Sequence, residues 1–351
     1  MKILYAVQAT GNGHISRAME LLPHLQKYGT IDIFLSGANS SLSLDAPVKF
    51  RSNGVSLFYN CNGGLDYLKM LKYTNPVKLQ QLIKNLPVEK YDLVLNDFEY
   101  ITAAACKKKK ISSIQFGHQA SFYSDKVPRP AKKSRLGEKI LKKYAPATQY
   151  AGLHFEKYDD YIFTPIIKKT ILDALPKDDG FVLVYLPSYC KKQLQDIFTR
   201  LKKVPFHIFT HDIKGIETIE NVTFFPISNE NFSQQLIRCT GIITGGGFET
   251  PAEAIHLGKK IMAIPIRNHY EQLCNAAALE ACGITCLKNI DNQFDDLFFQ
   301  WLQNGFTLKM DYSNSINEVL NYIFHYLKDI PGNLPEIEKD WKMVESLDIL
   351  N

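Results

Sequence analysis

The chain is predicted to be an α/β protein made of two doubly wound, Rossmann-like domains. Three observations carry this expectation. Short apolar runs alternate with amphipathic segments of helical length, the rhythm of right-handed β-α-β units around a parallel sheet. The rhythm stops near residue 165 and restarts near residue 181. And the length of 351 residues corresponds to about two domains at roughly 100–200 residues each.

The elements follow in order. Residues 3–7 (ILYAV) form an uninterrupted apolar run, as a strand buried on both faces should. A glycine-rich turn, ATGNGH, comes next. Over 15–28, Ile15, Ala18, Met19, Leu22 and Leu25 then share one helical face. Residues 31–36 and 55–59 read as strands, 65–86 as a Lys-rich helical region, and 91–95 (YDLVL) as a buried strand. A helix over 101–109 and a strand over 111–116 continue the pattern. Residues 126–150 read as a Pro- and Lys-rich loop leading into a basic amphipathic helix, and 161–165 as the last strand of the first domain. In the second half, 181–186 (FVLVYL), 206–210, 222–225, 242–244 and 261–264 read as strands. Helices are expected after Ser188, over 232–239, over 252–257 and over 270–282. The expected division is a first domain over 1–165, a linker over 166–180, a second domain over 181–330 and a helical tail over 331–351. A C-terminal helix can cross back to the first domain.

Composition excludes several classes. With 45% hydrophobic, 22% charged and 12% aromatic residues, the chain has enough apolar material for a sizeable core and is not broadly disordered. A net charge of +5 is too mild for a dedicated nucleic-acid binder. The charge is split, however. Residues 1–165 carry 23 Lys and Arg against 13 Asp and Glu, while 166–351 carry 18 against 23. A basic first half fits an anionic partner or a membrane surface. Seven cysteines, an odd number with no CxxC, argue against a disulfide framework and for a reducing, cytoplasmic setting. The start, MKILYAVQAT, reads as a first strand rather than a signal peptide. No stretch of 18 or more apolar residues is present to span a membrane.

Three constellations carry chemistry. The first is Gly11-Asn12-Gly13-His14, between the first strand and the first helix. Glycines let a ligand approach the backbone, and the helix N-terminus presents N–H groups to an anion. The dinucleotide fingerprint G-x-G-x-x-G is absent, and no acidic residue ends the second strand. His14 lies where the strand meets the cleft and is the side-chain type that titrates near neutral pH. The second is Asp97, in the ending Leu95-Asn96-Asp97-Phe98 of the strand 91–95, where it can bond a ring N–H of His14 or cap the next helix. The third is the stretch 240–276. Gly245, Gly246 and Gly247 offer consecutive N–H groups beside a helix that starts near Thr250-Pro251, a cradle for a diphosphate. Glu253 in the first turn suits two vicinal hydroxyls. After Pro265, Glu271 and Gln272 pair a carboxylate with an amide, which suits sugar hydroxyls. Each Glu alone could equally be a helix-dipole partner.

These residues resemble the nucleotide-sugar glycosyltransferases of the GT-B fold, in particular the glucosyl/glucuronosyltransferases and the peptidoglycan N-acetylglucosaminyltransferase. The donor signature of that superfamily is matched by Gly247, Glu253, Pro265, Glu271, Gln272 and Asn275. Gly11, Gly13 and His14 match its acceptor-side loop, and Asp97 falls where plant members place the Asp that supports the His. The match departs in two places. Ile243-Thr244 precede the Gly loop where an aromatic or His-rich stretch is usual, and the Gly-Ser turn opening the second domain is Leu186-Pro187-Ser188 here. The resemblance implies an inverting, metal-independent transfer of a sugar, with no cofactor, from a UDP-sugar to an acceptor hydroxyl. His14 would be the base and Asp97 its support. Gly11, Gly13, Ser188, Ile227, Gly245, Gly246, Gly247, Glu253, Glu271 and Gln272 would bind the donor, and His118 and Gln119 the acceptor. The basic half leaves room for an anionic or lipid-linked acceptor and for peripheral contact with the inner face of a membrane. Two alternatives stand beside this. A UDP-sugar 2-epimerase shares the architecture but would bring further acidic and basic groups in the first domain. A nucleotide-sugar-binding protein without activity would have no use for both His14 and Asp97.

Overall fold

The computed structural model describes residues 1–9, 12–37, 44–54 and 76–326. The first sheet holds β1 (Lys2–Gln8), β2 (Thr30–Ser36), β3 (Val48–Ser52), β4 (Leu93–Asp97), β5 (Ile114–Gly117), β6 (Gln149–Leu153) and β7 (Ile162–Phe163). Their order is β3-β2-β1-β4-β5-β6-β7, and every pairing is parallel. The helices of this half are α1 (Gly13–Leu25), α2 (Pro76–Asn85), α3 (Tyr100–Lys109) and α4 (Arg135–Lys143). The chain runs outward from β1 to β3, then returns to the other side of β1 with β4. The strand order therefore reverses between β1 and β4. In an open parallel sheet a crevice opens outside the carboxyl ends of the strands at such a point.

A short α5 (Lys169–Leu172) lies between the sheets. The second sheet holds β8 (Val182–Tyr185), β9 (Phe206–Thr210), β10 (Glu217–Ile219), β11 (Val222–Pro226), β12 (Gly241–Thr244), β13 (Lys260–Ala263) and β14 (Thr285–Cys286). Their order is β10-β11-β9-β8-β12-β13-β14. Here the reversal falls between β8 and β12, whose following turns hold Ser188 and Gly245. Helices α6 (Lys191–Phe198), α7 (Asn229–Arg238), α8 (Glu249–Leu257), α9 (Tyr270–Ala281) and α10 (Phe294–Asn304) complete this half. The architecture is two parallel-sheet, Rossmann-like units, the GT-B arrangement.

The central strands bury both faces: Ile3, Leu4, Tyr5, Ala6 and Val7 of β1 are all fully buried. One hydrophobic cluster runs through both halves. It joins Ile3, Tyr5 and Phe116 to Leu183, Ile242 and Ile255 by way of Phe155, Ile166, Ile167 and Phe248. The chain then crosses back. Helix α11 (Ser315–Asn321) and the turn after it touch the first half, where Thr164 and Ser315 hydroxyls share a 2.6 Å hydrogen bond. Phe324 stacks on Tyr28 at 3.8 Å.

The sequence reading differs from the structure at several elements. Strand β3 was not expected, because its exposed alternation, with Lys49 and Arg51 outward, gives no apolar run. The strand expected over 55–59, the first part of the helical region over 65–86 and the tail over 331–351 lie outside the described residues. Strand β6 (QYAGL) begins where a loop and helix were expected to end. Strand β10 is an unexpected antiparallel edge on β11. Among the described residues no helix is long and apolar enough to cross a membrane.

Candidate active site

The site forms where the two reversals face each other. His14 opens α1 directly after β1, and Asp97 ends β4, so both stand at the crevice of the first sheet. His14 Nδ1 lies 2.8 Å from Asp97 Oδ1. Asp97 is fully buried. A third residue, one turn along α1, completes the group. Arg17 Nε and Nη2 donate to Asp97 at 2.8–3.1 Å, and Nη1 donates to Glu249 Oε1 at 2.7 Å. Burial works against the charge of Arg17, but the two carboxylates outweigh it and hold the guanidinium protonated. Burial likewise resists ionisation of Asp97, yet Arg17 and His14 keep its carboxyl below the usual carboxylate range. Glu249 opens α8, immediately after the glycine loop, so Arg17 ties the His14–Asp97 pair of the first half to the loop of the second.

That contact explains Gly13. A Cβ there would meet the Glu249 carboxylate at 2.4–2.7 Å. Gly246 is packed as tightly, its Cβ direction 2.6 Å from the Gln272 carbonyl, whereas nothing lies within 4 Å of Gly247's. The loop is thus pinned at its middle and open at its end, beside the N-terminus of α8, where N–H groups and the helix dipole favour an anion. Gly11 lies outside the described residues.

The other expected site residues gather along the same seam. Gln272 Oε1 accepts from the Ile266 N–H at 2.9 Å, fixing the turn after β13. Asn275 Nδ2 donates to the Gly246 carbonyl at 2.9 Å. Glu271 Oε1 accepts from Gln119 Nε2 at 3.1 Å. His118 is buried. Its Nε2 faces Asn275 Oδ1 at 2.8 Å and its Nδ1 faces the Leu153 carbonyl at 3.0 Å. Two acceptors are fully satisfied only by the imidazolium, while burial pushes the pKa down and Glu271 opposes that. His118 and Gln119 therefore join the two halves rather than line an open surface. Phe248, in the loop, stacks on His118 at 3.9 Å and also touches Phe155 and His154. Glu253 is buried and paired with Lys168 Nζ at 3.0 Å; burial raises its pKa and Lys168 opposes. Ser188 is exposed in the turn after β8, and Ile227, half-buried after β11, packs on the core. Arg17 and Glu249 were missed by the sequence reading. The available signal was an arginine on the otherwise apolar buried face of α1. Among the described residues no group of three His, Cys, Asp or Glu side chains is placed to hold a metal ion.

The fold is that of the GT-B glycosyltransferases. The model of the family described as Glycosyl transferase family 1 matches residues 1–302, and the chain belongs to that family. No curated protein matches it. Several solved structures share the fold. The Arabidopsis thaliana UGT89C1 complexed with quercetin is 14% identical with a TM-score of 0.59, covering 92% of this chain and 98% of that one. MurG of Acinetobacter baumannii is 15% identical with a TM-score of 0.53, covering 92% and 98%. Phytolacca americana UGT2 complexed with UDP-2fluoro-glucose and pterostilbene is 12% identical with a TM-score of 0.55, covering 91% and 93%.

Proposed function

We propose that the chain transfers a hexosyl group from a UDP-sugar to an acceptor hydroxyl with inversion at the anomeric carbon. The observation that carries this is the His14–Asp97 pair at 2.8 Å, set beside a glycine loop that opens at a helix N-terminus. With Nδ1–H donating to Asp97, Nε2 is free to take the acceptor proton as the oxygen attacks the sugar. The diphosphate leaves from the opposite face. The N–H groups of Gly246 and Gly247 and the dipole of α8 offset its growing charge, the task a metal ion performs elsewhere, whereas the Gly245 N–H, expected to join them, is already given to the Tyr185 carbonyl at 3.3 Å. Two neighbours of similar fold were solved with UDP-sugars, UDP-L-rhamnose and UDP-2fluoro-glucose, which supports UDP as the nucleotide. Glu253, Glu271 and Gln272 are then the hydroxyl-binding groups, with Lys168 giving way to the ribose. His118 and Gln119 border the acceptor side.

The first half also supports an anionic or lipid-linked acceptor and peripheral contact with a membrane. Lys107, Lys108, Lys132, Lys133, Arg135 and Lys143 are exposed on it. Lys107 is close enough to Lys143 for the second charge, after burial, to lower its pKa.

Incubation with a panel of UDP-sugars tests the function. Release of UDP with an inverted product supports transfer. An altered sugar without release points to epimerisation, and thermal stabilisation alone to a binding protein. In the His14→Ala variant turnover is expected to fall at least about a hundredfold with UDP binding retained. Normal turnover in that variant rules His14 out as the base.

A further inference from the structure

Two groups compete for one ring nitrogen. His14 Nδ1 lies 2.8 Å from Asp97 Oδ1 and 2.9 Å from Arg17 Nη2. If Nδ1–H donates to Asp97, Nε2 carries a lone pair and can act as a base. If Nδ1 instead accepts from Arg17, the proton sits on Nε2 and the base is lost. Arg17 is a permanent cation and, being buried, keeps its place. Beside it, the charge of Asp97 is largely spent. Left at that, the pair would give little support to the imidazolium that forms when His14 takes a proton.

Glu249 changes the balance. Its carboxylate holds the Nη1 end of Arg17 at 2.7 Å, the end of the guanidinium that makes no bond to Asp97. With Glu249 in place the three partners, Asp97, Arg17 and Glu249, sum to one negative charge, and a protonated His14 makes the cluster neutral. Without Glu249 they sum to zero, and a protonated His14 leaves it positive. The other ionisable groups nearby are Tyr5, beside Asp97 and Arg17, His118, within reach of Glu249, and Glu253, which also feels the charge of Glu249. Tyr5 and His118 supply no negative charge at neutral pH in their ordinary states, and Glu253 is offset by Lys168 at 3.0 Å.

We propose that Glu249, carried by the second half, is a positioning residue that acts through Arg17 to complete the His14 base. Glu249 touches neither the acceptor proton nor the reacting carbon. Its role is to offset Arg17, so that Nδ1–H stays on Asp97 and Nε2 stays available. The base is then complete only when the two halves are together. A UDP-sugar held by the second half alone meets no active base, and its loss to water is avoided. The proposal rests on the reading of His14 as general base.

The test has two independent readouts on Glu249→Gln, which is nearly isosteric, and on Glu249→Ala. The first is the 15N spectrum of histidine-labelled protein at neutral pH without substrate, with His14 assigned by its absence in His14→Ala. The native protein is expected to show the Nδ1–H tautomer and both variants a shift of population toward Nε2–H. The second is steady-state transfer, in which kcat is expected to fall about tenfold to a hundredfold with the donor KM changed by less than about threefold. Ring-nitrogen signals like those of the native protein in both variants overturn the proposal. So does a rise in donor KM with kcat unchanged, which would make Glu249 a loop residue only. If no UDP-sugar supports transfer at all, the function assigned above fails, while the nitrogen spectrum still decides the coupling of Glu249 to His14.

Discussion

At the scale of single residues, the site turns on a glycine that has no unusual backbone to maintain. Gly13 begins α1 in an ordinary helical position, so alanine there suits the helix itself. What an added methyl meets is the Glu249 carboxylate, the end of a side chain that can swing away. Gly13→Ala is therefore expected to change stability by less than about 1 kcal/mol while lowering turnover about tenfold or more, because Glu249 leaves Arg17. A thermal melt and a UDP-release assay on the same preparation check both halves of this expectation. A loss of several kcal/mol with turnover intact would show that the close contact matters for packing and not for the base. His14 and Asp97 were legible in the sequence because each ends or begins an element, and strand ends in such sheets open into the crevice. Arg17 and Glu249 were not. Their pairing spans 232 positions of sequence; Arg17 stood out only as a charge on an apolar helix face, and nothing in the sequence named Glu249 as its partner. Glu253, one turn further along α8, drew attention through the donor signature, whereas the structure seats it against Lys168.

At the scale of elements, the residue following β6 is a further histidine that the site does not use. His154 is fully buried; its Nδ1 accepts from the Phe155 N–H at 2.9 Å. Its Nε2 finds no hydrogen-bond partner among the described residues. Burial, then the neighbouring His118 and Arg129, push its pKa well below the ordinary value. The sign follows directly. In the unfolded chain this histidine takes a proton near pH 6.5, whereas in the fold it stays neutral to lower pH. Stability is therefore complete above about pH 6.5 and falls as the pH drops below it, by up to about 1.4 kcal/mol per pH unit for one such group. Melting temperatures between pH 7.5 and 5 should show this fall, and His154→Phe, which keeps an aromatic ring in the cluster, should flatten it. An equally steep profile in the variant would assign the dependence elsewhere, His118 first. The elements that were hard to read have a common physical cause. Strands β3 and β10 lie at or near sheet edges and are partly exposed, so they lack the apolar run that marks β1, β4 and β8. Strand β6 is masked by Gln149, Tyr150 and Gly152, which break its apolar run; the first two are only partly buried, and Gly152 packs on Ser121, distant in sequence.

At the scale of the whole molecule, two sheets do not amount to two independent folding units. The hydrophobic cluster is continuous from β1 to β12, and buried polar contacts such as His118–Asn275 reinforce the seam. Calorimetry is expected to give one unfolding transition, with calorimetric and van't Hoff enthalpies in agreement. Two resolved transitions would show that the halves unfold separately. That the first half is basic and the second acidic was visible from the sequence. The way the halves meet was not, because it depends on side chains that each look unremarkable in their own segment.

The return of the chain through α11 bears on how such an enzyme could be recombined. Thr164 bonded to Ser315 and Tyr28 stacked on Phe324 make the last described turns part of the surface of the first half. A graft that exchanges donor specificity by replacing everything after the linker would strip that surface of its cover. The transplantable piece is instead an insert, bounded by one junction near residue 175 and a second near residue 310, with 315–326 kept beside the first sheet.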